Sequence, residues 1–515
     1  MFTSVNLKSK MLSETHPRRG QSRYRPTLRP APSLDGVPRR TMLLVALLMA
    51  AAYASWIFLS NDPNDPNDHG HWELLPVIIG FVPFFLWAIY DYRFGLLLAV
   101  MAAPLLSAPI IPHGFTQGFG DLFAACSVIG YLLRHPNPSQ WRDLWRREYV
   151  WLGLILAAAA VSLVFTPVWG QQVTYGIKYG LAEIAGYSLA MTFLAILVHE
   201  MRSQNDFNAV LTAVAAAILV VVLFSLVGLG LSLTCSVNHL GWALLSTNGA
   251  ITSTFLNPNY HSAYLICVLP FALWFYLNTP TATWMSHLAF AGVILLILLV
   301  QLSMSRAGLI GLVVLWLGWL AITRGKVGTK MMSIAFGLML PFTMLFWGYV
   351  IYFCQPGVVD MHFKDRIEFS SNYSKNFTTS SSVRLQLARN AINLWRQNPV
   401  TGVGAALMSN FSSVEGARNR AHNVLLTTLA EQGIIGVSVW MGWLGCLALT
   451  VWRARRRINA RGSQLAFLAL ALTAVAATSM FMDSLRVISL WQLCALILAW
   501  SVIPPKESHV SDDIR

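Results

Sequence analysis

The stretch "ARNRAHNVLLTTLAEQGIIG" (417–436) places Arg418, Arg420 and His422 directly before an apolar run. Guanidinium groups present forked N–H donors that suit anions. An imidazole can take or give a proton near neutral pH. Two other cations, Lys178 and Arg306, stand where apolar runs begin, and Arg384 opens a segment with helical periodicity. Each has two readings: a basic flank or surface residue beside a membrane span, or part of a site for an anionic ligand. A histidine at such an edge is likewise either a surface or capping residue or a group that does chemistry. The topology of the chain has to decide between them.

The chain has 515 residues, 56% of them hydrophobic and 11% charged. Soluble domains carry about 25% charged residues, so this is an integral membrane protein. Apolar runs near 20 residues recur along it, each able to cross ~30 Å of hydrocarbon. The net charge of +14 does not point to nucleic acid, because the basic residues sit mostly between runs, where they report orientation. Residues 1–40 hold nine Lys/Arg and are rich in proline, which reads as a disordered basic cytoplasmic tail before an uncleaved first span. Six cysteines show no CxxC or metal spacing. Cys126, Cys267, Cys446 and Cys494 fall inside spans as small apolar fillers. Cys235 and Cys354 lie outside spans, where a disulfide is one alternative.

The expected spans are 41–60, 72–90, 94–112, 118–134, 149–168, 178–198, 209–230, 259–278, 286–303, 307–323, 331–353, 433–452, 464–482 and 487–503. The expected fold is therefore an all-α polytopic membrane protein of fourteen transmembrane helices, with twelve as the alternative. Spans 1–11 occupy 41–353. A large outer loop occupies 354–432, the last three spans 433–503, and a cytoplasmic tail 504–515. With both termini inside, 25 of the 36 Lys/Arg lie on the inner side, as the positive-inside rule requires. The outer side holds Lys178, Arg306, Arg486 and eight between 354 and 422. A long translocated loop carries charge freely, but Lys178 and Arg306 at span ends need another reason.

Within that loop "VRLQLARNAINLWRQNP" (383–399) predicts an amphipathic helix. Val383, Leu387, Ala388, Ala391, Ile392, Leu394 and Trp395 share one face; Arg389, Asn393, Arg396 and Gln397 share the other. Such a helix lies on the membrane surface or on the tops of the spans. Arg384 interrupts the apolar face in what reads as the first turn, where a cation opposes the helix dipole. It either pairs with Asp360, Asp365 or Glu368, or snorkels, or serves an anion site above the spans. In "NPVTGVGAALMSNF" (398–411), Gly402 and Gly404 allow a tight turn; the GxG alone reads as a turn.

Four segments in order carry a resemblance: "STFLNPNYHSAYL" (253–265), "SMSRAGLIG" (303–311), "VRLQLARNAINLWRQNPVTGVGAALMSNF" (383–411) and "AHNVLLTTLAEQGIIG" (421–436). Together they resemble the O-antigen ligase/polymerase superfamily of bacterial inner-membrane glycosyltransferases. The resemblance implies a GT-C-like architecture whose active site opens to the periplasm. The implied donor is a glycan on undecaprenyl pyrophosphate, and the acceptor is another lipid-linked glycan, lipid A core or protein. It implies neither metal nor nucleotide as cofactor. On this reading Arg306, Arg384 and Lys178 bind the pyrophosphate, lysine being a departure from the arginine that often opens that span in the family. His422 is the base for the acceptor hydroxyl, or orients it. Arg418 and Arg420 either bind acceptor glycan or are solvated. Asn423 either caps or orients the following helix or contacts glycan, and Asn259 either turns the chain or touches sugar.

Glu431 lies nine residues after His422, ~13 Å along a helix and on its opposite face, which favours a structural contact near Gly433. His113, His239 and His261 keep a structural reading, and Arg486 a local pair with Asp483. Fourteen spans lean towards a polymerase of surface or exopolysaccharide, with O-antigen ligase as the alternative and polysaccharide assembly proteins as candidate partners. A flippase for the same lipid is the alternative from another class. It should line a mid-membrane path with ionisable groups, whereas here only Glu183 approaches that, one or two turns from the outer edge.

Overall fold

The computed structural model describes residues 41–51 except 43 and 50, 75–105, 118–166, 173–233, 251–255, 258–279, 283–303, 305–323, 371–411, 413–414, 417–418, 420–457, 462–481, 488–501, and the isolated positions 341, 345 and 503. The expected N-terminal tail, most of spans 1 and 11, the outer loop up to 370, Cys235, Cys354, Asp360, Asp365, Glu368, His113, His239, Asp483, Arg486 and the tail from 504 lie outside them. The side chains of Arg306 and Arg418 do as well.

The apolar runs form helices α1 (Leu75–Tyr90), α2 (Tyr92–Ala102), α3 (Phe119–Arg134), α4 (Tyr149–Val164), α5 (Val173–Glu200), α6 (Gln204–Leu233), α7 (Pro258–Asn278), α8 (Trp284–Leu302) and α9 (Arg306–Thr323). After these come α10 (Ser371–Gln397), α11 (Val424–Arg457), α12 (Gly462–Phe481) and α13 (Ile488–Trp500). Among the described residues, four helical stretches are long and apolar enough to cross a membrane: Lys178–Glu200, Gln204–Leu231, Trp284–Leu302 and Val424–Ala454. Shorter apolar helices accompany them, and the assembly is that of a polytopic α-helical membrane protein. One small exception to the all-α expectation is a two-stranded antiparallel hairpin, β1 (Ser413–Val414) with β2 (Ala417–Arg418).

Local chemistry sets the boundaries. The tight turn expected at 91–93 is made by Asp91, whose carboxylate accepts from the N–H groups of Arg93 and Phe94 and so starts α2. All of α2 from Phe94 to Ala102 is buried, the signature of a helix apolar all round. It packs against α3, α6 and α1. At its start Tyr92 donates to Glu200 at the end of α5, and Arg93 pairs with the same carboxylate at 2.7 Å.

Two helix starts differ from expectation. Helix α5 begins at Val173 rather than at Lys178, because the apolar-run criterion stopped at the charge while the backbone continues helical. Glu183 lies ~15 Å from the helix start but ~7.5 Å from Lys178, where the membrane-length apolar stretch begins, and is buried. Helix α10 begins at Ser371, twelve residues early. The polar "SNYSKNFTTSSS" gives no apolar period to detect. Arg384 thus stands in mid-helix, and the dipole argument drawn from a first turn does not apply. Helix α11 has a helical lead-in ahead of its span and is broken at Gly433 (φ 64°, ψ −158°), where the span is expected to start.

The amphipathic reading of α10 holds along the described side chains. Leu387 and Ala391 are fully buried and Leu394 nearly so, while Arg389, Asn393 and Arg396 are exposed. The buried face packs on α11 and joins Val403, Leu407, Met408, Ala421 and Ala430 in one apolar cluster. Cys126, Cys267, Cys446 and Cys494 are free thiols within the helices.

Candidate functional site

The loop 398–408 is threaded into the break in α11. At Gly433 the helix ladder opens and leaves carbonyls and N–H groups without partners of their own. Val403 N–H donates to the Ala430 carbonyl and Gly404 N–H to that of Glu431, both at 2.9 Å. In return Ile434 N–H donates to the Pro399 carbonyl at 2.9 Å. Gly402 N–H is taken by Asn398. The last turn of α4 holds the other side: Thr166 donates to the Val403 carbonyl at 2.6 Å, and Ser162 Oγ accepts from Ala405 N–H. The N–H groups of the GxG segment are therefore spent on protein, and it is a structural turn.

Glu431 completes that attachment. Its side chain is 2% exposed, and its carboxylate accepts from the N–H groups of Ala406 at 3.0 Å and Met408 at 3.4 Å. It also pairs with Arg420 Nε at 3.3 Å. Arg420 turns its two terminal nitrogens on Glu183, at 3.3 and 3.2 Å. Glu183 in turn accepts from Tyr187 at 2.6 Å. Glu431 thus makes the structural contact expected of it, with partners beyond those a helical wheel can show.

His422 follows two residues after Arg420. Its backbone is left-handed (φ 51°) and its side chain is exposed. Histidine tolerates this region better than most non-glycine residues. Ala421, just before it, is buried in the apolar cluster. Asn423, just after it, caps α11 by accepting from Leu426 N–H at 2.9 Å, as expected. Its amide also donates to the Met480 carbonyl at 2.7 Å and ties the head of α11 to the end of α12.

The end of α12 leads on to Arg306. Ala477 and Thr478, one turn before Met480, share a small cavity with Ser262 of α7 and Ala307 and Gly308 of α9. Ser305 caps α9 through its hydroxyl, which accepts from Gly308 N–H and donates to Asn259 at 2.8 Å. The structure thus brings the heads of α7, α9 and α11, the last turns of α4 and α12, and α10 to one end of the helix assembly. Arg306 is the first residue of α9. Lys178 is exposed on α5, about 140° round the helix from Glu183. Arg384 is half-buried on α10, one heptad before Ala391 and on the same stripe. Arg418 lies in β2, in register with Ser413.

Sequence reasoning missed Glu183, Ser162 and Thr166 as partners of this end, since nothing local marks a contact across more than 200 residues, and it missed Ser305, whose partner Asn259 is 46 residues away. His261 is a core histidine, as expected: it is fully buried, with Nδ1 facing the Ile251 carbonyl and Nε2 facing Ser225. Among the described residues no group of His, Cys, Asp and Glu has a metal-binding arrangement.

The fold and this site define a polytopic helical membrane protein with polar chemistry gathered at one end. Residues 291–441, from α8 through the break in α11, match the family model described as O-Antigen ligase. That match supports the O-antigen ligase/polymerase superfamily, the one suggested by the four segments above. No curated protein matches the chain.

Proposed function

We propose that the chain is a metal-independent, inverting glycosyltransferase of GT-C type in a bacterial inner membrane, with both termini cytoplasmic. It acts at the periplasmic face on a glycan carried by undecaprenyl pyrophosphate. The observation that supports this reading is His422, exposed on a left-handed backbone between the ion-paired Arg420 and the capping Asn423; pyrophosphate binding by Arg306, Lys178 and Arg384 is part of the proposal. An acceptor hydroxyl oxygen attacks C1 of the donor sugar from the face opposite the pyrophosphate. The C1–O bond to phosphate breaks, and its electron pair leaves with undecaprenyl pyrophosphate. The hydroxyl proton passes to a nitrogen of His422. The departing group carries two or more negative charges, which Arg306, Arg384 and Lys178 offset as they develop. Arg418 and Asn259 contact glycan on this reading.

The acceptor we favour is a second lipid-linked glycan, giving a polymerase of surface polysaccharide or exopolysaccharide. The description of the matched family supports the second reading, an O-antigen ligase acting on lipid A core. Purified protein given undecaprenyl-pyrophosphate repeat units as sole substrate tests both. A ladder of products identifies a polymerase. Transfer only after lipid A core is added identifies a ligase. Inactivity with both, together with flipping of the lipid in vesicles, would sink the transferase reading.

A further inference from the structure

We infer that Arg420, through Glu183 and Glu431, is a positioning residue that fixes the His422 imidazole, rather than a contact for acceptor glycan. The inference rests on the transferase reading above and deepens it.

The first argument is where the guanidinium is spent. Arg420 is 13% exposed, and all three of its nitrogens lie 3.2–3.3 Å from carboxylate oxygens on two helices. A planar fork committed in this way is held in one orientation. The carboxylates are themselves held, Glu183 by Tyr187 and Glu431 by two loop N–H groups, and both are nearly fully buried. Arg420 therefore rivets α5 and α11 to the chain segment that ends in His422.

The second argument is the backbone that follows. Arg420 is ion-paired, Ala421 is packed in the apolar cluster, His422 is left-handed and Asn423 is bonded to α12. Three of four consecutive residues are anchored, while the one side chain suited to proton transfer is exposed. A left-handed non-glycine residue persists only where its surroundings over-determine it. Releasing Arg420 removes one of those constraints and lets His422 shift. Displacement by about 1 Å costs ~10²-fold in rate.

The test uses purified full-length protein with Arg420→Gln, Glu183→Gln, the double variant and Arg420→Lys, assayed for transfer from undecaprenyl-pyrophosphate repeat units. Each Gln variant is expected to lower kcat about 10²-fold, with the acceptor KM within about twofold. The double variant should be no worse than the singles, since the residues act as one unit. Arg420→Lys should recover part of the loss. A raised acceptor KM with kcat retained would make Arg420 a glycan contact, and normal kinetics in Glu183→Gln would overturn the proposal. Where Arg420→Gln fails to insert, Glu183→Gln carries the test, because its amide can still accept from Tyr187. Carbethoxylation of His422 by diethyl pyrocarbonate, followed by peptide mass spectrometry, needs no turnover. Its rate should change in the positioning variants, and an unchanged rate counts against them. His422→Ala separates the two levels: retained transfer there defeats the transferase role of His422 itself. A dead His422→Ala beside normal Gln variants defeats only the positioning.

Discussion

Gly402 fills the gap that Gly433 leaves in α11. A Cβ on Gly402 would come within 2.3 Å of the Glu431 carbonyl carbon, and one on Gly433 within 2.3 Å of the Val400 carbonyl oxygen. Both have positive φ, 70° and 64°. Neither backbone can retreat without giving up the hydrogen bonds that join loop and helix. Gly402→Ala and Gly433→Ala should each cost at least about 1–3 kcal/mol from conformational strain, with further loss from the close contact. Thermal unfolding in detergent should show a lowered midpoint, and transfer should fall with it. An unshifted midpoint in both would mean the threaded loop is not required.

Glu431 separates charge from hydrogen bonding. Glu431→Ala strands two buried N–H groups and Arg420 Nε, while the Arg420–Glu183 pair stays, and each buried donor left without its partner costs about 1–3 kcal/mol. Glu431→Gln keeps an acceptor for the loop and should be milder. Denaturant unfolding of the two variants measures the difference, and equal losses would contradict it.

His422 separates backbone from chemistry. Glycine suits φ 51°, so His422→Gly should retain or slightly raise stability while abolishing transfer. Thermal midpoint and product assay, measured on the same preparation, check this. Residual transfer near the native rate would remove His422 from the reaction.

Ser305 caps α9 and holds Asn259. Ser305→Ala should cost about 1 kcal/mol as a lost cap and lower transfer by loosening the head that carries Arg306. Ser305→Thr, which keeps the hydroxyl, should restore most of both. The comparison is read from midpoints and initial rates.

At the far end of α5, Glu200 binds Tyr92 and Arg93 and touches none of the chemistry. Glu200→Ala leaves a mostly buried arginine without its carboxylate and should cost about 3–5 kcal/mol. Turnover per folded molecule should be unchanged, as measured by active-protein titration. A fall in turnover would show that the two ends are coupled.

Much of the fold was legible because a membrane core demands long apolar runs. The stripe on α10 was legible because Leu387, Ala391 and Leu394 keep a helical period. His422 and Asn423 stood out because polar groups at a span entrance need a reason. The Arg420–Glu183–Glu431 cluster left no such mark. Arg420 and Glu183 are 237 residues apart, and although Glu183 and Glu431 each stand out alone, nothing in the sequence pairs either with Arg420. The polar first half of α10 was equally silent, since serine and threonine carry no pattern to read. Lys178 does mark the start of the membrane-length apolar stretch, but the helix begins at Val173, a start the apolar pattern does not register.

The break at Gly433 also bears on how the chain can vary in length. Ahead of it, Ala430 and Glu431 at the end of the lead-in are hydrogen-bonded to the loop. Behind it, the long apolar stretch answers to the bilayer. A residue inserted beyond Gly433 would rotate the crossing by about 100° and turn Trp440 and Trp443 out of the core. One inserted between His422 and Gly433 would swing the imidazole by about 100°. The nine-residue spacing of His422 and Glu431 is therefore a register held by the threaded loop, while the span after it is held separately, by the buried Trp440 and Trp443.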